Sequence, residues 1–354
     1  MLRMMLQYEL SSMWKTVLIF SALLLSYVLT SLVCRKIISR GKISAISIPI
    51  KLELAVSQMK KAGTPSFGGI AFILGTTLSV FLLGDLRESY TWIPLVAIWI
   101  FGCIGFIDDY AKLTKNSSDG ITSRQKMAMQ IIAAGIVMFL VNSYSGMRST
   151  HISLPWNPAK TIDIGAWYQI AALFYILYFV NAVNITDGLD GLAAGTGFSI
   201  LVLFFLIAII FGLGFGSSVI QSVISGSSLH LALVICAFLG GLLAFLWYNS
   251  NPAQVFMGDC GSHALGTLIA VTALLLKIEL IALLASGVFL VEFMTSLLQI
   301  VTIRAWGRKF FSIAPIHHMY EQKGMSENKI VSRFRILGIL CVIVAFIFFT
   351  YKYL

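Results

Sequence analysis

The sequence predicts an all-α, polytopic integral membrane protein of about ten transmembrane helices. Two observations carry that reading. Hydrophobic residues make up 58% of the 354 and charged residues only 11%, against about 25% charged in an ordinary soluble domain. Apolar runs near the length of about 20 residues that a helix needs to cross a bilayer also tile the chain almost end to end. One membrane domain over residues 1–354 is therefore expected, rather than two soluble ones.

The expected spans, in order, are 13–33, 67–84, 91–107, 127–143, 168–185, 192–213, 229–248, 261–276, 280–303 and 335–352. The first lacks a small-residue cleavage signal and is followed by basic residues, so it reads as a retained helix. An even number of crossings puts both termini on one side, and the basic residues decide which. The loop after the first span holds Arg35, Lys36, Arg40, Lys42, Lys51, Lys60 and Lys61; the loop after the third holds Lys112, Lys115, Arg124 and Lys126. The stretch after the ninth adds Arg304, Arg308, Lys309, Lys323, Lys329, Arg333 and Arg335, so that eighteen of the 25 Lys and Arg residues lie in three loops. By the positive-inside rule these loops are cytoplasmic and both termini lie outside. The net charge of +10 has the same origin, and nothing resembles a nucleic-acid module. Of the alternate loops, 214–228 is rich in Gly and Ser, and 144–167 reads as either a short outward hairpin or an interfacial aromatic patch. The five cysteines are scattered without CxxC spacing, which indicates neither a zinc site nor a disulfide framework.

The carboxylates are placed against this trend. Of only 15 acidic residues, Asp108 and Asp109 follow the third span, Asp187 and Asp190 follow the fifth, and Asp259 precedes the eighth, all at the cytoplasmic face. A single such acid is equally well a solvated loop residue or a helix cap. Five on one face of an acid-poor protein point to a site, because carboxylates at membrane depth are costly and usually functional. Asn181, Asn184, Asp187 and Asp190 recur at every third residue of NAVNITDGLDGLAAG, with Gly188, Gly191 and Gly195 free to turn sharply beside a ligand. Amide and carboxylate oxygens on glycine hinges suit a nucleotide and a hard cation such as magnesium, which takes oxygen ligands. In VFMGDCGS, Asp259 sits between two glycines at a helix start, where free amide donors favour phosphate. In GFIDDY the adjacent acids repel, so either one stays protonated or both share a metal. Lys61, Lys112, Lys115 and Lys126 lie in the same loops and suit phosphate, although positive-inside charge alone accounts for any one of them. His317 and His318 are two of only five histidines. Glu292, alone in the middle of the ninth span, either faces a lipid-phosphate groove, pairs with a polar neighbour or breaks the helix.

These elements, in order, resemble the polyprenyl-phosphate N-acetylhexosamine-1-phosphate transferase superfamily. The resemblance runs from KAGTPSFGGI through DDYAKLTK, GITSRQK, NAVNITDGLDGLAAG, NPAQVFMGDCGS and GVFLVEFMTS to HHMYEQKG, and covers most of the chain. GTPSFGG at 63–69 after Lys61, and APIHH at 314–318, favour the muramoyl-pentapeptide branch over the branch that uses UDP-GlcNAc. Two positions depart from that branch: Met319 stands where it commonly has a third histidine, and Ser66 where it usually has threonine.

The resemblance implies a magnesium-dependent enzyme of the bacterial inner membrane. It would join UDP-MurNAc-pentapeptide from the cytosol to undecaprenyl phosphate from the membrane lipid, releasing UMP. It also implies homodimers, although the sequence shows no dimer motif. In that reading Asp259 binds magnesium, and Asp108, with Asp109 beside it, organises or deprotonates the lipid phosphate. Whether an aspartate or the lipid phosphate attacks stays open. Asn184, Asp187, Gly188 and Asp190 line the nucleotide site together with Asn181. Phe256 stacks on uracil and Lys61 meets its edge. Ser66, Lys112, Lys126, Asn249, Gly258, His317 and His318 complete the pocket. A sister GlcNAc-1-phosphate transferase is the alternative within the superfamily, and a cation or nucleotide transporter is the alternative outside it.

Overall fold

The computed structural model describes residues 12–44, 63–115, 120–145, 149–157, 160–214 and 219–354. These form twelve helices and one small hairpin. Helices α1 (Ser12–Ser44), α2 (Gly68–Leu83), α3 (Ser89–Thr114) and α4 (Ser123–Tyr144) precede strands β1 (His151–Ser153) and β2 (Thr161–Asp163). There follow α5 (Trp167–Thr186), α6 (Leu192–Gly212), α7 (Val219–Asn249), α8 (Gly258–Leu276), α9 (Glu279–Ala285), α10 (Gly287–Trp306), α11 (Ile316–Gln322) and α12 (Glu327–Tyr353). Among the described residues, nine helices are long and apolar enough to cross a membrane. Helix α2, with 16 residues, spans about 24 Å at 1.5 Å per residue and sits mostly buried among the others.

A helix that is apolar on every side belongs either in a core or against lipid, and both kinds are present. Helix α8 is the axis: every residue from Cys260 to Leu276 is buried, enclosed chiefly by α2, α3, α5 and α6. Helices α1, α10 and α12 instead turn Phe20, Leu24, Val28, Val291, Ile300, Leu340 and Ile347 outward, an apolar girdle suited to acyl chains. Small residues let the inner helices approach closely. A Cβ on Gly69 would fall onto the backbone of Gly261, and one on Gly105 onto the Asp259 carbonyl. These two approaches hold α2 and α3 against the start of α8, where Asp259 lies.

Three features differ from, or refine, the sequence reading. The stretch 144–167 contains a hairpin, with β1 and β2 antiparallel and His151 opposite Asp163. The expected ninth span is two helices: α9 ends at Ala285, and α10 resumes at Gly287 after Ser286 leaves helical geometry (φ −89°, ψ 22°). The Ser286-Gly287 pair is the local cause of the bend, set within an otherwise apolar run. His317 and His318, expected in a loop, lie on the short helix α11.

Candidate active site

The C-terminal end of α3, the N-terminal ends of α4 and α8, and the C-terminal end of α5 meet at one end of the bundle. Asp108 and Asp109 are buried near the end of α3, while Asp259 in the first turn of α8 is partly accessible. One carboxylate oxygen from each lies within 4.8 Å of the others. Such a set can hold a hard divalent cation, whose six oxygen ligands at 2.0–2.1 Å stand up to about 4.2 Å apart.

Two ammonium groups bind this cluster. Lys112 Nζ lies 2.8 Å from Asp108 Oδ2, 3.1 Å from Asp259 Oδ2 and 3.5 Å from Asp109 Oδ1. Lys126 Nζ lies 2.6 Å from Asp259 Oδ2 and 3.5 Å from Asp108 Oδ2. The spacing explains the first: Lys112 follows Asp108 and Asp109 at i+4 and i+3 on one helix face. Three carboxylates against two ammonium groups, at the mouth of a low-dielectric bundle, attract a cation at the acids and phosphate at the lysines.

Backbone and amide donors fix the carboxylates. Ile121 N–H donates to Asp108 Oδ1 (2.9 Å) and Cys260 N–H to Asp109 Oδ2 (3.1 Å). Asn184 Nδ2 donates to Asp259 Oδ1 and to Ser262 Oγ, both at 2.9 Å. Gly258 has φ +70°, and a Cβ there would crowd Asp109 Oδ2 (2.5 Å) and Ser66 Oγ (3.0 Å). Ser66 is therefore at the rim, on a strip where Gly68 and Gly69 N–H donate to Phe256 and Met257 carbonyls (2.8 and 2.9 Å). Phe256 itself is half-buried on that strip.

The remaining candidates divide. Asp190 and Asn249 are buried and hydrogen-bonded within the protein. Asp190 Oδ2 accepts from Asn251 Nδ2 (2.9 Å) and Ala253 N–H (3.0 Å), and Asn249 Oδ1 accepts from Gly191 N–H while its Nδ2 donates to the Val255 carbonyl. They shape the turn between α5 and α6, which Arg335 also holds through the Gly191 carbonyl (2.6 Å). Asp187 caps α5 and Gly188 follows it, both half-buried. Asn181 donates its amide to Gln130 Oε1 (2.9 Å) and the Leu177 carbonyl (2.8 Å). His318 is half-buried against Glu321 (2.6 Å), whereas His317 is fully buried against Glu292 (3.0 Å). Lys61 lies outside the described residues.

Sequence reasoning missed a second polar layer. Gln130 Nε2 lies 2.9 Å from His263 Nε2, and both residues are fully buried. The signal was available, since Gln130 follows Lys126, and His263 follows Asp259, by one helical turn. Asn251, Glu327 and Arg335, which brace the turn at Asp190, gave none: their partners lie on distant segments.

Comparison with known proteins places this arrangement. Glycosyl transferase family 4 matches residues 91–277, the stretch from α3 through α8 that supplies all three clustered acids and both lysines. The chain is 40% identical over 297 residues to the phospho-N-acetylmuramoyl-pentapeptide-transferase of Clostridium perfringens, covering 84% of this chain and 86% of that one. To the proteins of the same name from Rickettsia canadensis and Rickettsia bellii it is 37% identical, over 84% of this chain and 82% of theirs. The chain belongs to the phospho-N-acetylmuramoyl-pentapeptide-transferases of glycosyl transferase family 4.

Proposed function

We propose that this protein transfers phospho-MurNAc-pentapeptide from UDP-MurNAc-pentapeptide to undecaprenyl phosphate at the cytoplasmic face of the bacterial inner membrane. A bond forms between an oxygen of the lipid phosphate and the sugar-linked phosphorus, the bond to the uridylyl oxygen breaks, and UMP leaves. The product is a lipid-linked pyrophosphate. One pyrophosphate is exchanged for another, so the work is positioning and charge neutralisation. The observation that carries this reading is the cluster of Asp108, Asp109 and Asp259 with Lys112 and Lys126 at one end of a membrane bundle, where a soluble nucleotide and a lipid phosphate can meet.

In this reading Asp259, with Asp108 and Asp109, holds magnesium, which when bound neutralises pyrophosphate charge. The chain's own groups do the rest. Lys126 and Lys112 exchange their carboxylate contacts for phosphate oxygens as substrate enters, and Asn184 keeps the Asp259 carboxylate oriented. Asp108 lines up the lipid phosphate for attack. Asp187, Gly188 and Phe256 border the nucleoside, with Ser66 and His318 beside them, and Lys61 meets the uracil edge.

Purified protein in bilayers, given undecaprenyl phosphate and UDP-MurNAc-pentapeptide, is expected to release UMP and a lipid-linked sugar with magnesium, and to stop on addition of EDTA. Turnover with UDP-GlcNAc alone would assign it to the sister reaction. Nucleotide flux across the bilayer without a lipid product would replace both.

A further inference from the structure

Glu292 and His317 form a second polar pair, outside the acid and lysine cluster. Both side chains are fully buried, one in α10 and one in α11, and His317 Nδ1 lies 3.0 Å from Glu292 Oε2. The contact occupies Nδ1 and leaves Nε2 as the open ring atom. Nε2 is buried without a hydrogen-bond partner among the described residues, and so is Glu292 Oε1. Leaving a buried polar atom unpaired costs about 1–3 kcal/mol, and native structures rarely accept it unless a ligand or water completes the bond.

The direction of Nε2 is the informative part. It lies against Gly188, closely enough that a Cβ on that residue would strike the imidazole. Gly188 follows the C-cap of α5, and one turn earlier on the same helix Asn184 grips Asp259 Oδ1. The end of α5 thus connects the metal-competent cluster to His317, with a bare glycine at the point where the ring faces it. A tie made only to join α10 to α11 would not need an unpartnered nitrogen aimed at this turn.

We infer that Glu292 is a positioning residue: it holds His317 with Nε2 seated against the Gly188 turn, and through that contact fixes the turn that borders the nucleotide-sugar substrate. This rests on the transferase reading above. Pairing with His317 also resolves the three alternatives that the sequence left open for Glu292.

Two measurements test it. In turnover assays, Glu292→Gln keeps size and one acceptor but removes the carboxylate that fixes the ring. It is expected to lower kcat/KM about 10- to 100-fold, as the loss of a carboxylate behind a working histidine does. His317→Gln should lose at least as much. The double variant should fall within about threefold of His317→Gln, because groups that act as one unit are not additive. Losses that multiply, or a Glu292→Gln enzyme as active as wild type, would overturn the assignment. The second measurement needs neither activity nor a stable Glu292 variant. In wild-type protein labelled with 15N-histidine, the His317 signal, identified by its loss in His317→Gln, should show Nδ1 protonated. A neutral ring protonated only at Nε2 would end the proposal. Should wild type transfer no sugar at all, the functional reading falls, while the nitrogen spectrum still decides the pair.

Discussion

Asp259→Asn is expected to lower turnover about a thousand-fold, the upper range for loss of one preorganised electrostatic group, while the protein stays folded. The asymmetry follows from the contacts. Asp259 Oδ1 accepts from Asn184, and an asparagine Oδ1 can still do so. Its Oδ2 takes both Lys112 and Lys126, at 3.1 and 2.6 Å. An amide NH2 at that position would face two ammonium groups and offer no ligand to a cation. The lysines keep Asp108 as a partner and remain partly accessible to solvent, so water can take up the difference. Turnover and the thermal midpoint should therefore separate: the first collapses and the second moves little. Titrating magnesium in the variant gives a further check, since any residual rate should need more metal than wild type. A variant with near wild-type turnover at ordinary magnesium would remove Asp259 from the metal site and undermine the proposed chemistry.

What could be read in advance depended on whether the signal was local in the chain. The spans were legible because a bilayer demands long apolar runs, and Asp108, Asp109 and Asp259 stood out because acids are scarce and costly there. Lys112 followed from its place in the basic loop beside the acids and Asn184 from the polar residues at every third position, and the structure brings both to Asp259. Asp190 and Asn249 show the limit. Their residue types suit a nucleotide, yet their bonds go to Asn251, Ala253, Gly191 and Val255. For Asp190 those partners lie 61 and 63 residues away, on a segment whose path no local pattern reveals. The bend at Ser286 had a local mark that the sequence reading did not use: a Ser-Gly pair, one of the few causes of a helix kink, set within an otherwise apolar run. Gln130 and His263 lay one turn beyond recognised site residues and were legible in principle, but as uncharged groups inside apolar runs they lacked the contrast that exposed the acids.

The same close packing predicts that the smallest possible change on α3, Gly105→Ala, costs nearly as much as loss of a site residue. Gly105 precedes Asp108 by one turn and faces the Asp259 carbonyl, with the Cys260 amide 2.5 Å from where its Cβ would be built. Those atoms are backbone and have no rotamer through which to yield. The added methyl must push α3 and α8 apart until ordinary contact, near 3.4 Å, is restored. That separates Asp108 and Asp109 from Asp259 by an amount of the order of 1 Å, and misplacement on this scale costs about a hundredfold in rate. Overpacking should also destabilise the fold by about 1–3 kcal/mol, so turnover and thermal midpoint should fall together, unlike the separation expected for Asp259→Asn. Gly135→Ala on α4 is the control. A Cβ there meets open space, and alanine in a helix is favoured over glycine by about 0.8–1.0 kcal/mol, so activity should hold and the midpoint should not drop. Equal behaviour of the two variants would mean that the glycine contact at Gly105 does not set the spacing of the acids. A selective loss at Gly105 would place the geometry of the site in the helix packing beneath it, with the carboxylates acting only as far as that packing allows.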